Sequence, residues 1–151
     1  MWGRVCDPRR MPDYRGQCLC GAVRYRVSAD APAAMFLCHC SRCRKESGSA
    51  HAATVFVGEA ELDWERGGAN LTAFALAGTR KSRAFCTTCG SPMPRREAGG
   101  VVLPAGSLDD DCCVHPTAHI FCASAAGWEA EAATVPRFDG LPPAPAAGSG
   151  A

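Results

Sequence analysis

Val23, Tyr25 and Val27 alternate with Arg24 and Arg26. That period of two predicts a half-buried strand over Ala22 to Ala29. The pattern recurs down the chain. Over His51 to Val57, Val55 and Val57 share one face while Thr54 and Phe56 share the other. Leu62 and Trp64 stand between acidic residues over Glu61 to Glu65. Leu71 to Leu76 and Thr79 to Phe85 read as two strands joined at Gly78, with shorter strands over Val101 to Leu103 and Thr117 to Cys122. Turn residues separate these runs, at Asp30 to Ala34, Gly58-Glu59 and Gly67 to Asn70. Pro92 and Pro94 confine their segment to an edge or a loop. Helical spacing is nearly absent. One or two turns are expected from Ser41 to Glu46, with Ser41 as N-cap and Ser47-Gly48-Ser49 as the stop. The expectation is a mainly β fold.

Three segments follow from this pattern. Residues 1–15 carry Arg and Pro without a period and read as a flexible tail. Residues 16–140 hold the strands. Residues 141–151 are dominated by Pro, Ala and Gly and read as a disordered tail. A net charge of +1 argues against a nucleic-acid partner, which would need clustered Lys and Arg. No apolar run reaches the roughly 18 residues that span a bilayer. The N-terminus has no apolar core of a secretory signal, so a cytoplasmic location is expected.

Cysteine changes the picture. The chain has 11 in 151 residues, more than a reducing compartment would keep as disulfides. Their spacing points to metal. Cys38, Cys40 and Cys43 form C-x-C-x-x-C, Cys18 and Cys20 form C-x-C, and Cys86 and Cys89 form C-x-x-C followed by Gly90. Thiolate is a strong zinc ligand, and the glycine frees backbone N–H groups to turn towards the second sulfur. Cys18, Cys20, Cys86 and Cys89 would make a closed structural site. Cys38, Cys40 and Cys43 would hold a second zinc with an open fourth position, the mark of a catalytic site. Spacing favours this division and leaves another open, in which Cys86 and Cys89 complete a site with two of the middle three. Metal staples would help so small a sheet fold.

Other residues carry weaker signals. Cys6 has no assigned role. Cys112 and Cys113 are adjacent and would point to opposite faces, so they read as packing or surface thiols. Cys122 alternates within an apolar strand and reads as core. His39 sits between two ligand candidates and reads as a supporting or surface side chain. His51 and His119 read as core, supporting or substrate-contacting residues. Arg42, Arg44 and Lys45 flank Cys43, where cations favour thiolate and would attract an anionic ligand.

The ordered set is similar to the glutathione-dependent formaldehyde-activating (GFA) family, which includes the domain of centromere protein V. The resemblance runs from about Gly16 to Pro143. It rests on Gly16-x-Cys18-x-Cys20-Gly21-Ala22-Val23-x-Tyr25, on Cys38-His39-Cys40-x-x-Cys43 with Gly48, and on Arg83-x-Phe85-Cys86-x-x-Cys89-Gly90-Ser91-Pro92. Gly106-Ser107-Leu108-Asp109 and Pro116-x-x-His119-Ile120 through Trp128 continue it. The chain departs from the pattern at Ser91 to Pro94, where an apolar or aromatic strand is usual. The resemblance implies a zinc-stapled β fold of the Mss4-like type. It implies a structural zinc on Cys18, Cys20, Cys86 and Cys89 and a second zinc on Cys38, Cys40 and Cys43. It also implies a carbon–sulfur lyase activity, in which glutathione and formaldehyde form or release S-hydroxymethylglutathione.

Two function classes remain. One is a zinc enzyme making or breaking a thiol–aldehyde adduct, with a small thiol such as glutathione and a small aldehyde as substrates. The alternative is a non-catalytic zinc-binding interaction module. A zinc hydrolase is disfavoured, because H-E-x-x-H is absent.

Overall fold

The computed structural model describes residues 13–30, 33–109 and 114–143. Cys6, Cys112 and Cys113 lie outside the described residues. In chain order the elements are β1 (Asp13–Gln17), β2 (Arg24–Ala29), β3 (Ala34–Cys38), α1 (Ser41–Ser47), β4 (Ala52–Gly58), β5 (Ala60–Arg66), β6 (Leu71–Ala75), β7 (Ser82–Cys86), β8 (Pro92–Met93), β9 (Arg95–Glu97), β10 (Gly100–Pro104), β11 (Pro116–Ile120) and α2 (Glu129–Ala132). The fold is mainly β, as the alternation predicts. Among the described residues no helix is long and apolar enough to cross a membrane.

The strands form three sheets, ordered β1-β2-β5, β11-β3-β4-β10-β9 and β6-β7-β8. β11 runs parallel to β3, and the other pairings are antiparallel. Tyr25, Val27 and Ala29 of β2 meet Val55 and Val57 of β4 and Val101 and Leu103 of β10 in one core. Each Val or Leu among them contributes roughly 1.5–3 kcal/mol when fully buried. Val102 is buried as well, so β10 shows no alternation. It lies between β4 and β9 and is covered on both faces. β8 sits at a sheet edge, where Pro92 removes no ladder donor that a neighbour needs.

Several elements differ from the sequence reading. Asp13, Tyr14 and Arg15, expected in a tail, belong to β1, and Tyr14 is buried opposite Val27. One buried ring among charged residues is too short a signal to register as a period. β9 and α2 were not expected; their three and four residues are below the length at which a pattern repeats. The cap of α1 is Cys40, one residue before the expected Ser41, and its Sγ accepts from the Cys43 N–H. Gly48 closes that helix at φ +63°, the left-handed turn that glycine adopts most readily. Cys122, expected in the core, is exposed in a short turn just after β11.

Gly16 holds two parts of the fold together by having no side chain. A Cβ there would lie 2.2 Å from the Ser107 carbonyl oxygen and 2.4 Å from the Tyr25 hydroxyl. That hydroxyl is itself 2.7 Å from Ser107 Oγ. Gly16→Ala is expected to cost about 1–3 kcal/mol through overpacking. Urea unfolding should show a lower midpoint with an unchanged m value, the sign of a pure stability change.

Candidate metal centres

Cys18 and Cys20 lie in the turn between β1 and β2. The turn is fixed by backbone bonds from Cys18 N–H to Val23 O (3.0 Å) and from Gly21 N–H to Cys18 O (2.9 Å). Cys86 ends β7, and Gly90 N–H closes the next turn on Cys86 O at 2.8 Å. Gly90 sits at φ +73°, a conformation that suits only glycine well. These two turns bring Cys18, Cys20, Cys86 and Cys89 together, with every Sγ within 4.8 Å of the others. Cys18 Sγ is 3.5 Å from Cys20 Sγ, and Cys20 Sγ is 4.0 Å from Cys86 Sγ. Four sulfurs about 2.3 Å from a zinc stand about 3.8 Å apart, so the donor set fits a tetrahedral ion. Ser91 ties the turns to each other: its hydroxyl accepts from Leu19 N–H at 3.0 Å and lies 3.2 Å from Cys89 Sγ.

The acidities of these thiols diverge. The Ser91 hydroxyl, with the N–H groups of Ser91 and Cys20, holds Cys89 down at about 6. Ala22 N–H pulls on Cys20, yet the adjoining Cys18 sulfur and burial push it up to about 11. Sulfurs this close resist ionising together. A divalent cation among them removes that conflict and takes all four as thiolates.

The second cluster is built at the junction of β3 and α1. Cys38 ends β3, Cys40 caps α1 and Cys43 lies in its first turn. Their three Sγ atoms also lie within 4.8 Å of one another. Burial, together with the sulfurs of Cys38 and Cys40, pushes Cys43 up to about 12, against the pull of Lys81. Lys81 Nζ is 3.5 Å from Cys43 Sγ and pairs with Glu46. The set supplies three soft ligands and fits a zinc with one position left over.

A cavity of about 530 Å³ lies between the two clusters: Cys18 and Ser91 of the first line it, and it reaches the second only through Lys81, since Cys38, Cys40 and Cys43 do not line it. Lys81, Arg83 and Arg95 line it, with Glu46 and Asp109 as the acids. Lys81 joins cavity and cluster, since it borders the first and touches the second. Arg83 donates to Glu46 O (3.3 Å) and Gly90 O (2.9 Å). Its Nε is buried without a hydrogen-bond partner among the described residues. The cations expected to serve an anionic ligand lie elsewhere. Arg42 and Lys45 are exposed, and Arg44 Nε donates to His39 O at 3.2 Å. None of the three lines the cavity. A usable signal was present: Lys81 and Arg83 are two apart just before a C-x-x-C, which puts two cations on one face of the incoming strand.

His39, His51 and His119 gather at the same junction. His39 is buried; its Nε2 lies 2.8 Å from His119 Nδ1 and its Nδ1 2.8 Å from Glu129 Oε2. Its backbone N–H donates to Ile120 O at 3.0 Å, extending the pairing of β11 with β3. Reading the histidines one at a time hid this, although three of the chain's four are involved.

The family profile described as glutathione-dependent formaldehyde-activating enzyme matches residues 13–124. A Halomonas elongata protein whose provisional name is glutathione-dependent formaldehyde-activating enzyme is 33% identical over 82 residues, 52% of this chain and 52% of its own length. The match thus spans about half the length of that curated relative. A crystal structure of a Rhodobacter sphaeroides protein superposes with a TM-score of 0.49 at 30% identity, over 63% of this chain and 87% of that one. The profile match extends over well more than half of the chain and takes in both thiol clusters. On that ground the chain belongs to the glutathione-dependent formaldehyde-activating family.

Proposed function

We propose that this protein is a zinc-dependent enzyme that forms or breaks a thiol–aldehyde adduct, of the S-hydroxymethylglutathione type. Cys38, Cys40 and Cys43 would hold the working zinc, and Cys18, Cys20, Cys86 and Cys89 a structural one. The observation that carries this reading is the three-thiol cluster with its spare ligand position, linked through Lys81 to a cation-lined cavity. Zinc held there would favour a substrate thiol as thiolate and set it beside a carbonyl. In the forward direction the thiol sulfur bonds to the aldehyde carbon. The carbonyl becomes a hydroxyl, and the thiol proton ends on that oxygen. The reverse breaks the same bond, and no electrons change hands.

The chain's own residues select and orient the substrate. Arg83 and Lys81 supply positive charge in the cavity for the carboxylates of a small acidic thiol such as glutathione. Lys81 stays charged there: burial works against it, but Glu46 and Cys43 raise its affinity for the proton. The cavity is of a size that takes a small peptide or metabolite.

Calorimetry with glutathione and S-methylglutathione tests the reading. Glutathione is expected to bind and S-methylglutathione to bind at least tenfold more weakly, since its sulfur carries no proton to lose. Binding of the free thiol releases a proton, so affinity should rise with pH up to the thiol's own pKa, near 8.5. Equal affinity for the two ligands, or a flat pH profile, would rule out the thiol as a ligand. Turnover of glutathione with formaldehyde, followed by NMR, then separates an enzyme from a binding module.

A further inference from the structure

We propose that His39, His51 and Glu129 form a third metal site, for a divalent first-row ion such as zinc, cobalt or nickel. His39 stands between Cys38 and Cys40 on extended chain, so its ring points away from the thiol cluster. It enters a different set of donors. One donor atom each from His39, His51 and Glu129 lie within 4.8 Å of one another. His39 Nδ1 is 2.8 Å from Glu129 Oε2, and His51 Nδ1 is 3.5 Å from Glu129 Oε1. Nitrogen and oxygen ligands about 2.0–2.2 Å from a tetrahedral zinc stand about 3.3–3.6 Å apart, which a small adjustment of these contacts reaches.

The hydrogen bonds accommodate an ion in place of a proton. His39 Nε2–H can donate to His119 Nδ1, 2.8 Å away, which leaves the Nδ1 lone pair facing the carboxylate. That is the arrangement of a metal-ligating histidine oriented by a supporting acceptor. A proton on His39 Nδ1 would satisfy Glu129 Oε2 alone. It would leave His51 Nδ1, a buried atom, with only a long 3.5 Å approach to Glu129 Oε1. An ion satisfies both nitrogens and the carboxylate together. Two imidazoles and a carboxylate make a borderline donor set, harder than the thiol clusters. The fold gathers them from far apart. His39 follows β3, His51 precedes β4, and Glu129 opens α2. The chain turns back between β11 and α2 at Phe121, a non-glycine residue at φ +56°. His39 and His51 lie within the residues 13–124 that match the family profile, and Glu129 lies just beyond them. Nothing in this proposal depends on the thiol chemistry.

The test uses the full chain produced with cobalt(II) in place of zinc, purified reduced and folded, and dialysed against cobalt(II). Bound cobalt is counted by elemental analysis, and thiolate-to-cobalt charge-transfer absorption is read on the same sample. His51→Ala and Glu129→Ala are each expected to lose one equivalent of cobalt with no fall in the thiolate absorption. An unchanged cobalt count in either folded variant would overturn the proposal. So would a loss of cobalt that tracks a loss of thiolate absorption, because the residues would then only shape the loop of Cys38, Cys40 and Cys43. Should Glu129→Ala fail to fold, His51→Ala decides, since that ring is part-exposed and its loss opens no large cavity.

Discussion

Cys86→Ala should give a chain that does not fold, and Cys40→Ala one that does. Cys86 is fully buried in the core cluster, and Cys18 beside it is nearly so. Around them meet the turn after β1 and the end of β7, two segments 66 residues apart. With zinc bound, a site of this kind contributes roughly 10 kcal/mol or more to folding. That is the size of a whole domain's net stability. Cys40 holds a different position. Its loss removes one ligand of the open cluster and the cap of α1, the latter worth about 1 kcal/mol. Circular dichroism and thermal melts on the two purified variants measure the difference. Equal unfolding of both would contradict the division into a structural and a working site.

Cys43→Ser should leave the fold and remove the chemistry. Losing one of three ligands empties or distorts the open site. Metal polarisation is worth several kcal/mol of barrier, so turnover should fall by about a thousandfold or more. Arg83→Gln should be milder. A charged hydrogen bond is worth about 1.5–3 kcal/mol, which is roughly a ten- to hundredfold rise in KM for an acidic thiol with kcat little changed. The two variants separate metal from substrate recognition. An Arg83→Gln variant as impaired in kcat as Cys43→Ser would place the guanidinium in the reaction itself and undo the assignment of roles.

How much of this was legible in the chain depends on range. β2, β4 and β5 were visible because Tyr25, Val27, Val55, Val57, Leu62 and Trp64 alternate with polar neighbours inside short windows. The thiol grouping was visible because C-x-C and C-x-x-C are local spacings with few other uses. What needs distant residues was not visible. Arg83 becomes a cavity residue only because β7 passes beside α1, and Arg42 and Lys45, which lie closer in sequence to Cys43, are exposed and do not line it. Glu129 reaches His39 only after the turn at Phe121 and the parallel pairing of β11 with β3. No window of sequence holds both partners. Cys40 as cap was hidden for another reason: serine caps more often than cysteine, and the rule for caps does not anticipate a sulfur already placed for another role.

The 66 residues between Cys20 and Cys86 also set a timetable. At about 5–20 residues per second, the ribosome needs roughly 3–13 s to bring the second pair out after the first. Cys38, Cys40 and Cys43 emerge within that interval, before Cys86 and Cys89. A zinc ion arriving late in that interval meets six thiols, among which Cys38, Cys40 and Cys43 are complete as a set while Cys18 and Cys20 still lack their partners. Where an ion joins Cys18 and Cys20 to sulfurs of the middle set, completing the molecule becomes an exchange of ligands on a bound ion. Thiolate transfer at zinc, and not strand pairing, would then limit how fast newly made chains mature. Zinc supplied during synthesis and zinc supplied afterwards would lead to the same fold by different routes.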